Sequence, residues 1–216
     1  GKDHAFKCRG NWNNQEVRGD SRMFSVNVEK LLKMTDSEHD GYLSSANKVL
    51  GMMDSENTEL GIVGDAMMEF KLAGTIHELG KSVLFIDCDT SDELFLSKYR
   101  LGKDLKGVTS YLSGSEDARD LVCVTNRSDF DVVFTGQTGL INVKDVESSR
   151  LRDFADNYLD YDYVVVYSDE TGKAAAGCDR AVLMLQQSDY SEMSAEQKVK
   201  NLDKQGCYVL GVIINQ

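Results

Sequence analysis

A chain of 216 residues with 41% apolar content can bury one substantial core, with room for a short appendage. Its 24 Lys and Arg against 36 Asp and Glu leave a formal charge of -12, a field that repels nucleic acid and anionic lipid and so argues against both as direct partners. No apolar run approaches the roughly 20 residues needed to cross a bilayer.

Five scattered cysteines, odd in number and without CxxC spacing, fit reduced thiols of a cytoplasmic protein better than a disulfide frame or a zinc site. The histidines His4, His39 and His77 lie too far apart in sequence to suggest a metal cluster, so no metal centre is expected. Proline is absent, although about 5% usage would supply roughly eleven. The chain opens on glycine instead of methionine, which suggests a piece of a longer protein and leaves room for a membrane anchor outside it.

Taken in chain order, residues 1–40 read as a polar arm or linker. Within it a short helix is predicted over Met23–Met34, because Phe24, Val28, Leu31 and Leu32 recur at helical spacing. Residues 41–216 read as one domain. Tyr42–Met53 is predicted helical, and Leu60–Val63 is a short apolar strand. Asp65 is placed to cap a helix over Ala66–Leu79 with a stripe of Met68, Leu72, Ile76 and Leu79, closed by Gly80.

The strand Val83–Ile86 follows and runs onto Asp87 and Asp89. Further strands are predicted at Leu121–Val124, Val132–Phe134, Tyr163–Val166, Ala181–Leu185 and Tyr208–Ile214, with helices at Val143–Tyr158 and Ser191–Lys204. Near-continuous Val, Ile and Leu strands between amphipathic helices predict an α/β fold with a mostly parallel sheet covered on both faces. Ligands in such sheets bind beyond the carboxyl ends of the strands. Two strands there share one build, but where the first ends on Asp87 and Asp89 the second has Tyr167.

Several stretches carry a family resemblance. Lys71 through Asp89 resembles the first helix and second acidic motif of the cytoplasmic domain of bacterial tyrosine kinases, within the ParA/MinD-type P-loop ATPases. Gly107-Val-Thr-Ser-Tyr-Leu-Ser-Gly114 is similar to the family's GLSDYLSG segment. Ile141–Val146 takes the place of its PNPAEL, and Cys207–Asn215 matches its closing strand. The resemblance covers about four-fifths of the chain. It implies a P-loop NTPase-like fold and a place in capsule or exopolysaccharide assembly.

The departures fall at the motifs that handle nucleotide. The family's glycine-rich loop ends in GKST or GKT, whose amides and lysine hold phosphates. Here the strand passes through Gly64-Asp65-Ala66-Met67, with Asp65 at the lysine position and Met67 at the hydroxyl position. Asp87 and Asp89 match the family's second acidic motif and are read as inherited, solvated acids. The third motif's acid is Tyr167, with Asp169 a shifted substitute, and Asn215 is a candidate residual nucleotide contact. Gly172-Lys173-Ala-Ala-Ala-Gly177 inverts the phosphate-loop order and reads as a loop entering a helix.

These departures predict a catalytically inactive, kinase-like module with no cofactor, acting through protein partners. The resemblance implies a membrane polysaccharide co-polymerase or a true kinase as partner, at the cytoplasmic side of a membrane. Self-association is also expected, but Ser44–Leu50 lacks the Glu/Arg/Arg pattern of the family's oligomerising helix. The alternative is a divergent ParA/MinD-like or pilus-assembly localisation switch using ATP or ADP with Mg²⁺. An active tyrosine kinase with a rebuilt phosphate loop is the third reading.

Overall fold

The computed structural model describes residues 26–91 and 105–215. Seven strands form one sheet: β1 (Glu59–Val63), β2 (Val83–Asp87), β3 (Cys123–Val124), β4 (Phe130–Val133), β5 (Tyr163–Ser168), β6 (Arg180–Gln186) and β7 (Val209–Asn215). Their order is β3-β4-β2-β5-β1-β6-β7, with every pair parallel except β3 and β4. The predicted α/β class is therefore correct. The path leaves β1 toward β2 in one direction and passes to β6 and β7 in the other, so the crevice beside β1 is a topological switch point.

Among the described residues the helices α1 (Glu29–Leu32), α2 (Asp36–Met52), α3 (Ala66–Glu78), α4 (Val108–Leu112), α5 (Ser148–Ala155), α6 (Lys173–Ala176) and α7 (Glu192–Gln205) connect and cover the sheet. The strands are buried on both faces because alternate residues enter different cores. Leu60, Ile62, Val83, Phe85, Val165 and Val182 pack with α1, α2 and α3. Leu84, Ile86, Val164 and Val166 point the other way, toward α4 and α5. Ala181, Leu183 and Leu185 meet Ala195 and Leu202 of α7 in a third cluster. At Gly61 the helix α6 lies directly on β1: an added Cβ would stand 2.6 Å from Ala175 Cα.

Several elements differ from the sequence reading. Val28, Leu31 and Leu32, expected in a weakly packed arm, are buried in the main core. Their helix is only four residues long, because Val26 instead pairs as an isolated parallel bridge with Thr125 and donates its N–H to Val124 O at 2.9 Å. The predicted Met23 and Phe24 lie outside the described residues. The strand expected from Leu121 begins at Cys123, after a 3₁₀ turn over Ala118–Leu121.

The long helix expected over Val143–Tyr158 is three pieces. A 3₁₀ turn over Val143–Asp145 is capped by the Asn142 side chain, then the backbone extends through Val146 and Glu147 before α5 begins. Burial of both Val143 and Val146 holds that break in place. Cys88, Cys178 and Cys207 are free and buried, as expected of reduced thiols. Among the described residues no helix is long and apolar enough to cross a membrane.

The helix α2 starts on a complete capping box. The Thr35 hydroxyl accepts from Glu38 N at 3.2 Å, and the Glu38 carboxylate accepts from Thr35 N at 2.7 Å. Thr35→Ala is expected to cost about 1 kcal/mol, seen as a lower urea midpoint with an unchanged denaturant slope.

Candidate functional site

The β1–α3 turn is short for steric reasons. Gly64 lies against β6, where an added Cβ would stand 2.4 Å from Met184 O, so only glycine fits. Asp65 follows in an extended conformation and its Oδ1 accepts from Met67 N at 3.0 Å, the predicted N-cap. This bond also occupies an amide that an anion at the helix N-terminus would otherwise use. Asp65 is exposed, and Met67 packs partly on the main core instead of facing a ligand.

One turn into α3 stands a residue that sequence reasoning missed. Glu69 is fully buried, and neither of its carboxylate oxygens has a hydrogen-bond partner among the described residues. Burial first, then the nearby charges of Asp87, Asp65 and Asp89, push its carboxyl well above the usual carboxylate range. A protonated, neutral Glu69 is the form this environment favours. The only sequence signal was an acid interrupting the helix's apolar positions.

Asp87 and Asp89 were expected to be solvated, and they are not. Asp87 ends β2 at 3% exposure, and its Oδ1 accepts from Asp89 N at 3.0 Å. Asp89 is 6% exposed. Its Oδ1 takes Ser91 N at 2.9 Å and Ser91 Oγ at 2.5 Å, and its Oδ2 takes the hydroxyl of Tyr167 at 2.9 Å. The reason is register: Tyr167 on β5 is the Cα partner of Asp87 on β2. The tyrosine read as a missing acid is thus a hydrogen-bond donor to Asp89. Burial first, then the neighbouring Asp89 that accepts its hydrogen bond, hold its phenol protonated.

Just past β5, Asp169 is 5% exposed. Its Oδ1 accepts from Thr171 N at 3.0 Å and from the Thr171 hydroxyl, while its Oδ2 is buried without a partner among the described residues. The charges of Asp87, Asp169 and Asp89 all bear on Cys88, whose thiol is pushed well above its ordinary range, chiefly by burial. The acids from β2 and β5 therefore meet at one end of the sheet.

Asn215 does not join them. It ends the edge strand β7 and lines a separate groove of about 510 Å³ with Tyr42 and Lys48 of α2. Gly172-Lys173 does enter the short helix α6, as the inverted order suggested. His39 meets Glu78 at 2.6 Å and His77 meets Ser128 O at 2.8 Å, while His4 lies outside the described residues. Among the described residues no three His, Cys, Asp or Glu side chains are arranged to hold a metal by themselves.

The chain is 25% identical over 181 residues to the tyrosine-protein kinase CpsD of Streptococcus agalactiae, covering 79% of this chain and 76% of the relative. The kinase domain of the Escherichia coli tyrosine kinase ETK matches the fold with a TM-score of 0.73 at 18% identity, over 96% of this chain and 84% of that one. This chain resembles the bacterial tyrosine kinases in sequence and in fold. The septum site-determining protein MinD of Pyrococcus horikoshii, solved with Mg-ADP, matches with a TM-score of 0.55 at 17% identity, over 72% of this chain and 68% of that one. No family model matches.

These names correct one expectation. The chain was read as a non-enzyme from three altered positions in two motifs, but its relatives are named tyrosine-protein kinases and a kinase domain shares its fold, which points to an enzyme. The altered positions all lie at the β1–α3 turn and at Tyr167. The buried acids Asp87, Asp89 and Asp169 stand beside them at the strand ends. A magnesium ion of the kind seen with MinD commonly binds through one or two protein carboxylates plus phosphate and water, not in an all-protein cage. The unpartnered Asp169 Oδ2, with Asp87 nearby, fits that limited demand.

Proposed function

We propose that this domain is a tyrosine-kinase-type component of capsular or exopolysaccharide assembly that takes Mg-ATP at the carboxyl end of its sheet and acts on protein. The observation that carries this reading is the meeting of buried Asp87, Asp89 and Asp169 at the ends of β2 and β5, beside the switch-point strand β1. The similarity to named tyrosine-protein kinases over most of the chain supports it. Phosphoryl transfer depends on positioning and on neutralising charge. Asp87 and Asp169 would hold the nucleotide's Mg²⁺, which supplies that charge when bound, and Tyr167 fixes Asp89 beside them.

In this reading the partners are proteins: a membrane polysaccharide co-polymerase, another kinase, or a second copy of the chain. Such a role places the domain at the cytoplasmic face of a membrane.

Incubation with Mg-ATP is expected to leave phosphotyrosine on the protein or on a co-purified co-polymerase segment, detected by mass spectrometry, and calorimetry is expected to record Mg-ATP binding. No heat at millimolar nucleotide together with no phosphotyrosine would sink the reading. Binding without phosphotyrosine would favour a nucleotide-controlled localisation switch, a second reading supported by the MinD-like fold.

A further inference from the structure

In this chain the phosphate loop's lysine is replaced by Asp65, so a nucleotide needs its positive contact from elsewhere. A cleft of about 690 Å³ opens beside the β1–α3 turn, between the carboxyl ends of β1 and β6 and the helix α7. Among the described residues its wall carries three carboxylates, Asp65, Glu170 and Asp189, and one cation, Lys198. Lys198 projects from α7 on the face that also brings Asn201 and Leu202 to the cleft, at the i, i+3, i+4 spacing of one helical stripe. Leu183 and Leu185 supply an apolar wall.

Lys198 is exposed and enters no ion pair among the described residues, whereas Lys200, on another face of α7, pairs with Glu196 at 3.9 Å. Three carboxylates around one ammonium would repel a bare polyphosphate. They tolerate one whose charge is already reduced by a divalent cation.

We infer that Lys198 supplies the cationic contact to the nucleotide's phosphates, taking over from α7 the task that a lysine in the β1–α3 turn performs in the resembled family. This rests on the nucleotide reading above and assigns a residue to it. An ammonium on a flexible stem suits this relocation, because it acts as a point charge and needs no fixed fork geometry.

The test is calorimetric titration of the intact chain with Mg-ATP and, separately, with adenosine. Lys198→Ala is expected to weaken Mg-ATP binding at least tenfold while leaving adenosine binding within twofold. Lys198→Arg should retain most of the affinity, and Lys200→Ala should match the native chain. Thermal melts of all variants should superimpose, since Lys198 is exposed. Native-strength Mg-ATP binding by Lys198→Ala would overturn the inference while leaving the nucleotide reading intact. Equal losses for Mg-ATP and adenosine would overturn it too, by showing a general effect on the cleft. If the native chain binds no nucleotide, both fall together.

Discussion

Replacing Glu59 with glutamine is expected to remove its share of the stability that the native chain loses as pH rises from about 4.5 to about 8. Glu59 opens β1 and is fully buried, and neither carboxylate oxygen makes a hydrogen bond among the described residues. Arg152 stands 3.5 Å away but is drawn more closely to Asp179, at 2.8 Å. Burial, and then the charges of Asp156 and Asp179, push the Glu59 carboxyl up to about 8, with Arg152 offsetting only part. Asp179 is itself fixed in place by accepting from Thr58 N and Glu59 N.

The direction of the pH effect follows from proton counts. Below about 4.5 both folded and unfolded chains hold the Glu59 proton, and no penalty exists. Between about 4.5 and 8 the unfolded chain releases it while the folded chain retains it, so folding becomes less favourable with each step in pH. Above about 8 both forms are ionised and the full cost of a buried carboxylate remains. At roughly 1.4 kcal/mol per tenfold change in proton affinity, the upper bound is on the order of 5 kcal/mol. Glutamine keeps the shape without the charge. Urea unfolding at pH 4 and pH 9 is the measurement: native and Glu59→Gln proteins should nearly agree at pH 4, with the variant more stable by a few kcal/mol at pH 9. Parallel pH profiles for the two would show that Glu59 ionises freely in the fold.

Phe70→Ala is expected to lower stability by about 3–5 kcal/mol. The ring is 1% exposed and meets Phe85 of β2 edge-on at 5.0 Å and Phe130 of β4 at 5.6 Å. It therefore joins α3 to two strands at once, and edge-to-face aromatic pairs contribute beyond the area they bury. Because α3 also carries Asp65 and Glu69, the same ring holds the candidate site's helix against the sheet. Phe70→Leu keeps most of the volume and should cost about 1–2 kcal/mol. Chemical denaturation reads both, and a cost below about 1 kcal/mol for Phe70→Ala would mean that the aromatic cluster does not anchor α3.

Much of the framework was legible before any coordinates. The strands at Leu60, Val83, Tyr163, Ala181 and the chain's end were visible because parallel strands buried on both faces are continuous apolar runs. Asp65 was readable as a cap, since capping involves only the first turn of a helix. The misreadings arose where a distant partner overrode a local pattern. Val26 bridges to a segment about a hundred residues away, and Val143 and Val146 are buried together across a non-helical break. Periodicity within a window cannot register either event.

The site divides in the same way. The amino-acid sequence by itself determined the parallel α/β sheet, the acids at the end of β2, and the presence of Asp65 and Met67 in the β1–α3 turn. These are statements about residue type and short-range spacing. Only the tertiary structure decided that Asp87 and Asp89 are buried, that Tyr167 donates to Asp89 across 78 positions, and that Glu69 is buried without a hydrogen-bond partner among the described residues. It also decided that Asn215 lies in another groove and that Lys198 reaches the cleft beside Asp65. The physical reason is that strand register and helix docking set which side chains converge, and both arise from packing between segments far apart in the chain.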